Sequence, residues 1–410
     1  MARSNQRNWR RDGERVALNL LYVIHYPIFG GPHNIALRLA EPMSQSGWRI
    51  SVLCPDEPGT AADRLRMAGV DVLTVPLHRI RARADPMVAI SSVRGTVTDV
   101  RRIRRIIQEN SIDVVLLAGL VNIQAAVAAR REAVPLIWQL IDTRTPVPVN
   151  AAFMVIVKRL ADVVMTTGPD KVARAHPGVR SFGQRLVPFF PPVDVTVFRP
   201  DNSKRSSARA KLGLSDDDVV IGNASNLNPQ KGHRTFIRAA HELRKSIPGA
   251  RFVILGASYS NHADYEAGLK REAQDLGFEL GEDLLIIDPR TYYPDLMQAF
   301  DVFWLTSEPR SEGTPTVIED AMALALPVIS TDVGGVSEVV ANGLTGILVK
   351  PRDVEALALE TAALLGDRSR LQSMGQAGRR LAEERFATSA CFAAHQHAIQ
   401  MAIDHHKHRK

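Results

Sequence analysis

Short apolar runs alternate with longer amphipathic stretches twice over in this chain, and that rhythm leaves few ways to fold. In the first half the runs span residues 17 to 24, 49 to 54, 71 to 76, 113 to 118, 135 to 140 and 162 to 166. In the second half they span residues 219 to 224, 251 to 256, 284 to 288, 301 to 305, 327 to 331 and 346 to 349. Such a series predicts strands of a parallel sheet wrapped by helices. With 410 residues the chain is too long for one compact core. Residues 186 to 215 join a proline cluster to a polar, basic run, the composition of an interdomain linker. Two α/β domains meeting at a cleft are expected.

Three loops in this pattern carry candidate chemistry. In HYPIFGGPHN, residues 25 to 34, the first strand ends in a glycine turn, and Ile35, Leu39 and Met43 then mark a helix face. Gly30 and Gly31 let backbone approach a ligand closely, and Pro32 leaves the following N–H groups free; a plain tight turn reads the same way. In NASNLNPQKGH, residues 223 to 233, Lys231 stands just before a helix with Phe236, Ala240, Leu243 and Ile247 on its apolar face. A lysine there can neutralise a diphosphate while helix N–H groups add donors, or it is an ordinary exposed lysine.

The third loop opens SEGTPTVIEDAMALALPVISTDVGGVSEVV, residues 311 to 340. Thr314 is placed as an N-cap and Pro315 suits the first helical position. Pro327 opens a short strand, and Gly334 and Gly335 permit a tight turn. Glu312, ahead of the helix, and Asp320, about two turns on, can accept hydrogen bonds from ligand hydroxyls. The plainer alternative makes Glu312 a surface loop residue and Asp320 a solvated helix charge.

This third segment resembles the signature of the retaining GT-B glycosyltransferases of family 4, also called glycosyltransferases group 1. Their pattern is acidic-Gly-x-Pro with a second acidic residue eight positions after the first, which Glu312 and Asp320 fit. Asp320 replaces the usual Glu, and Glu319 beside it competes for the role. The resemblance implies that Glu312 contacts the donor sugar and that Asp320 or Glu319 holds the ribose. Gly313, Thr314, Pro315 and Thr316 complete the donor loop. Lys231 and the following glycine match the family's diphosphate loop, where Asn226 occupies the place of a usual Arg; Arg310 is a candidate substitute.

Gly30 and Gly31 match the pair that faces donor phosphate and acceptor. Asp288 and Arg290 correspond to the loop near the nucleobase, and His33 and Asp142 are acceptor-side candidates. At Asp142 many family members have a His-Asp pair, and here Ile141 precedes it.

The resemblance also implies a GT-B fold, two Rossmann-like domains facing across a cleft. The expected division is a basic disordered leader over 1–15, an N-terminal acceptor-side domain over 16–195 and a linker over 196–215. A C-terminal nucleotide-sugar-binding domain follows over 216–385, and a last helix crosses back, with a tail, over 386–410.

Charge and cysteines narrow the setting. The net charge of +7 is local: the leader carries five Arg against two acids, and residues 79 to 105 carry eight Arg against two. Within 97 to 107, Val97, Val100, Ile103, Ile106 and Ile107 fall at helical spacing while Arg101, Arg102, Arg104 and Arg105 take other faces. That basic amphipathic helix is either packed with a solvated face or makes peripheral contact with an anionic membrane or anionic acceptor. No binding motif or aromatic series accompanies the arginines, which excludes nucleic acid. His405, His406 and His408 read as tail residues. The only cysteines, Cys54 and Cys391, fit no metal spacing or disulfide framework, so a reducing compartment is expected. No window is apolar enough for a spanning helix.

The expected activity is metal-independent, retaining transfer of a hexosyl group from a nucleotide diphosphate sugar, a UDP-sugar being favoured, to an acceptor hydroxyl. The acceptor is a saccharide, a lipid-linked saccharide or a small molecule, the only co-substrate is the nucleotide sugar, and the location is cytoplasmic, with the membrane inner face as a peripheral option. Two alternatives stand beside it: a nucleotide-sugar 2-epimerase on the same fold, and a noncatalytic membrane-associated binding protein.

Overall fold

The computed structural model describes residues 18–78, 86–141, 143, 145–258, 262–289, 293–309 and 311–409. The leader, Asp142, Arg290 and Arg310 therefore lie outside the described residues.

Two wholly parallel sheets form. The first contains β1 (Leu18–Ile24), β2 (Trp48–Pro55), β3 (Asp71–Val75), β4 (Val114–Ala118), β5 (Leu136–Leu140), β6 (Val163–Thr167) and β7 (Leu186–Phe189), in the order β3-β2-β1-β4-β5-β6-β7. The second contains β8 (Val220–Ala224), β9 (Arg251–Leu255), β10 (Leu284–Ile287), β11 (Val302–Leu305), β12 (Val328–Thr331) and β13 (Gly346–Val349), in the order β10-β9-β8-β11-β12-β13. Each predicted strand forms within one residue of its expected bounds. The reason is burial: β4, β5, β6, β8 and β11 are buried along their whole length, and helices on both faces give every sheet two core clusters.

The expected linker is more ordered than its composition suggests. Its first residues are β7, which pairs with β6 and closes the first sheet. Within the expected 196–215 span, Asn202–Lys211 is a helix capped by the Asp201 side chain, which accepts from the Lys204 N–H at 3.1 Å. The helix is pinned to the second domain through Asp301, which pairs with Arg205 at 2.5 Å and with Arg209 at 2.8 Å.

The last helix, Thr388–His408, returns to the first domain, where Cys391, Ala398, Ile399, Ala402 and Ile403 join the core around β1, β2 and β4. Polar contacts fix its register. Tyr22 donates to Gln139 Oε1 at 2.7 Å, and the Gln139 amide meets His395 Nε2 at 2.8 Å. Fully buried Asp162 accepts from Arg130 at 2.7 Å and lies 3.2 Å from His405 Nδ1 and 3.3 Å from His406 Nδ1. His405 and His406 are thus packed residues of this helix, a correction to the tail expected from their position. Where the chain crosses between domains a second time, it runs beside the first crossing: Val193 N–H donates to Phe386 O at 2.7 Å and Thr388 N–H to Val193 O at 3.0 Å.

Residues 86 to 105 of the basic stretch lie in the helix Pro86–Glu109, and residues 79 to 85 lie outside the described residues. Val100, Ile103 and Ile107 are buried as expected, whereas Val97 is 49% exposed. Arg104 pairs with Glu132 at 2.6 Å and Arg102 donates to the Pro76 carbonyl at 3.1 Å, leaving Arg101 and Arg105 on the exposed face. Among the described residues no helix is long and apolar enough to cross a membrane.

Candidate active site

In the second sheet, chain order reverses between β8 and β11, so the loops after these two strands diverge and leave a crevice at their carboxyl ends. Lys231 arrives from the β8 side. A short 3-10 turn, Pro229–Lys231, is capped by Asn228, whose side chain accepts from the Gln230 N–H at 3.0 Å, and Gly232 then starts the helix His233–Ser246. Gly232 has φ +65°, and a Cβ there would overlap the Thr306 carbonyl oxygen, so glycine is needed to seat the lysine against β11.

Glu312 arrives from the β11 side. Its Oε1 lies 2.6 Å from Lys231 Nζ and accepts from Ser307 Oγ at 2.6 Å. Residues separated by 81 positions are thereby joined, and the carboxylate is almost fully buried, at 5% exposure. Beneath the lysine, buried His233 stays neutral, its pKa brought down to about 3 by burial and by the neighbouring Lys231 charge. Its Nε2 lies 3.0 Å from Ser225 Oγ.

The loop after Glu312 is pressed against the first domain. A Cβ on Gly313 would overlap the Ile141 carbonyl oxygen, and Thr143 Oγ1 donates to the Glu312 carbonyl at 3.1 Å. The helix begins at Thr316, with Pro315 as its extended N-cap at φ −78° and ψ 109°, one residue later than expected. The Gly335 N–H donates to the Gly313 carbonyl at 2.6 Å and ties this loop to the turn after β12, which delays the winding. The Thr314 hydroxyl is buried and has no hydrogen-bond partner among the described residues.

The two acidic neighbours on this helix part ways. Asp320 is 1% exposed, pairs with Arg38 of the first domain at 2.9 Å and accepts from the Tyr293 hydroxyl at 3.1 Å. Glu319 is fully buried, and neither of its carboxyl oxygens has a hydrogen-bond partner among the described residues. Burial, and then the adjacent Asp320, push its pKa well above the carboxylate range.

From the first domain, Gly30 and Gly31 border open space: a Cβ on either would meet nothing within 4 Å. His33 does not face that space. Its Nδ1 accepts from the Gly30 N–H at 3.2 Å and its Nε2 donates to the Tyr26 carbonyl at 3.1 Å, so the ring braces the glycine turn. Burial brings its pKa down to about 4. Asn226 is half-buried in the loop after β8, its carbonyl accepting from Asn228 Nδ2 at 3.3 Å, and exposed Asp288 directly follows β10, one strand beyond β9. The structure thus gathers Lys231, Glu312, Gly313 and Thr314 and puts Asp288 to one side.

Two family models match the chain in tandem, a glycosyl transferase 4-like domain over residues 30–200 and glycosyl transferases group 1 over residues 204–381. The chain belongs to the group 1 glycosyltransferases. The D-inositol 3-phosphate glycosyltransferase of Nocardia farcinica is 35% identical over 193 residues, covering 45% of this chain and 41% of that protein. A GDP-mannose-dependent alpha-(1-6)-phosphatidylinositol monomannoside mannosyltransferase of Mycolicibacterium smegmatis is 35% identical over 196 residues, covering 46% of this chain and 49% of the relative. The chain thus spans about half the length of the curated relatives it matches. Among solved structures, Anabaena HepE in complex with UDP and glucose superposes with a TM-score of 0.76 at 19% identity, over 93% of this chain and 99% of that one. The fold of this group 1 member is GT-B, with two Rossmann-like domains.

Ser307, Arg38 and Tyr293 were not singled out from sequence. Ser307 follows directly on the buried strand β11 with Thr306, and a polar pair at that carboxyl end was the available signal. Arg38 sits among Ile35, Leu39 and Met43 on an amphipathic helix, where an arginine reads as solvated.

Proposed function

We propose that this chain transfers a hexosyl group from a nucleotide diphosphate sugar to an acceptor hydroxyl, with retention and without a required metal. The Lys231–Glu312 pair at 2.6 Å carries the reading, because it sets a cation and a hydroxyl acceptor side by side at the switch point of the second sheet. Lys231, at the start of the helix His233–Ser246, stabilises charge growing on the leaving diphosphate, and the helix N–H groups reinforce it. Glu312, oriented by Ser307, accepts from a donor-sugar hydroxyl. Asp320 holds the ribose, Asp288 borders the nucleobase, and Gly30 and Gly31 leave room for phosphate and acceptor from the opposite side. No side chain is assigned as nucleophile.

The donor base is a choice between UDP, favoured above, and GDP, supported by the name of the mycobacterial relative. The two curated relatives are named for inositol phosphate and phosphatidylinositol substrates, which supports a polyol or lipid-linked acceptor. Lys231→Ala and Glu312→Ala should each lower transfer by about 10²- to 10³-fold, the cost of losing one preorganised electrostatic group. Turnover near wild type in both would sink the scheme. A thermal-shift panel of UDP, GDP, dTDP and ADP, each with and without magnesium, selects the base, since a ligand of the folded state raises its melting temperature. A shift that requires magnesium would overturn the metal-independent part.

A further inference from the structure

If Glu312 is to meet a donor-sugar hydroxyl, as the proposed transfer requires, it does so only as accurately as its loop is held. From its own domain that loop is gripped by the turn after β12. The Gly335 N–H donates to the Gly313 carbonyl at 2.6 Å, and a Cβ on Gly334 would overlap the Glu312 carbonyl oxygen. From the first domain it is met by the ends of β5 and β6, since a Cβ on Gly313 would overlap the Ile141 carbonyl oxygen and crowd Thr167 Oγ1. The Glu312–Gly313 backbone is therefore seated between the two domains.

Glu338 joins these two supports. The turn after β12 runs straight into the short helix Val336–Val339, and from it Glu338 reaches the loop after β6. Its Oε1 accepts from the Asp170 N–H at 2.7 Å and from the Lys171 N–H at 2.5 Å, across 168 and 167 positions. Gly168 makes room for it, because a Cβ there would overlap Glu338 Oε2 and displace the carboxylate. A nearer acceptor is present in the sequence. Asp170 directly precedes the helix Lys171–Ala175, yet its side chain makes no cap bond among the described residues and pairs instead with Arg174 at 2.6 Å and Arg180 at 2.5 Å. The place of a local cap is thus taken by a carboxylate of the second domain. A carboxylate receiving N–H donors makes charge-assisted bonds, about twice as strong as neutral ones.

We infer that Glu338 is a positioning residue for the transfer reaction. By tying the loop after β6 to the turn that grips the Glu312–Gly313 backbone, it sets where Glu312 stands against the first domain, and it acts on the sugar only through that turn. Lys231 comes from the second domain alone, so nucleotide affinity survives loss of this contact while turnover does not.

The test uses the full chain, wild type and Glu338→Ala, with Glu338→Gln, whose amide oxygen still accepts from both N–H groups. Hydrogen exchange on the free proteins is compared at residues 168–171, which Glu338 touches, and at the buried residues 311–314. In Glu338→Ala both segments should exchange about tenfold faster or more, the effect of losing charge-assisted hydrogen bonds, with β4 and β8 unchanged. Glu338→Gln should restore most of the protection. Gly168→Ala, which displaces the carboxylate from the other domain, should act in the same direction and serves if Glu338→Ala folds poorly. Dissociation constants for UDP and GDP should stay within about threefold of wild type, whereas kcat on the nucleotide sugar of the base that binds should fall by about tenfold or more with donor KM little changed. Faster exchange confined to 168–171, or kcat unchanged in Glu338→Ala, makes the contact a local cap and overturns the inference while nucleotide binding leaves the proposed function standing. Wild type that binds neither UDP nor GDP overturns the proposed function, whatever the exchange shows, and with it the role given to Glu338.

Discussion

The returning helix Thr388–His408 and the donor-side helix Thr316–Ala323 both bind the second half of the chain to the first domain, but with different materials. Under the returning helix, apolar side chains interlock and Asp162 is surrounded by Arg130, His405 and His406 in addition to the Leu136 N–H. Beneath the donor-side helix, Arg38 reaches one carboxylate, and a second carboxyl has no hydrogen bond among the described residues. Among those residues Asp162 itself has partners on both oxygens, although His406 Nε2 beside it has none, whereas Glu319 has a partner on neither oxygen. The contrast separates a contact built on an apolar core from one built mainly on a buried ion pair.

The strongest way to break the comparison is at Asp162. Burial alone would raise its pKa, but His406 and Arg130 bring it well below the carboxylate range, so it is ionised at neutral pH. Asp162→Ala should destabilise the protein by about 3–5 kcal/mol, the usual cost of orphaning a buried charge, read as a lower denaturant midpoint. Nucleotide affinity below the transition should not change. A loss of affinity with no loss of stability would place this contact in the site instead.

Acid should act next, through buried histidines in both domains. Burial is the leading cause that brings His33 and His395 to about 4 and His233 to about 3. In the unfolded chain each takes up its proton near pH 6.5, whereas the folded chain refuses it. Their contribution is therefore intact above pH 6.5 and is lost as pH falls toward 4, by about 1.4 kcal/mol per pH unit for each histidine. Denaturation at several pH values should show this slope, and His395→Gln should remove one proton's share. A flat profile from pH 6.5 to 4.5 would contradict neutral burial.

The smallest effect is expected on the basic helix. Arg101→Ala with Arg105→Ala should change stability by no more than about 0.5 kcal/mol per site, as for exposed positions without partners among the described residues. If vesicles containing anionic lipid bind the wild type and not this variant, the exposed arginines have an external role; equal binding would assign them to solvation alone.

Much of the fold was legible because a strand buried on both faces must be apolar along its length, and β4 or β11 could hardly read otherwise. The strand β7 was hidden by Pro188, which reads as linker in LVPFFPP. At the edge of a sheet one side of the backbone has no ladder to complete, and proline is tolerated there. Lys231 and Glu312 were legible through their loops. Ser307 and Arg38 were not, since what recruits them is a partner brought near by folding. The same holds for His405 and His406, whose partner Asp162 lies more than 240 positions away.

The returning helix also sets an order of assembly. The apolar face around β1, β2 and β4 is completed by Ile399, Ala402 and Ile403, which leave the ribosome only after the entire second domain. During synthesis the first domain therefore waits with that face uncovered, and a nascent chain stalled anywhere between β8 and the last helix presents it to chaperones and to other nascent chains.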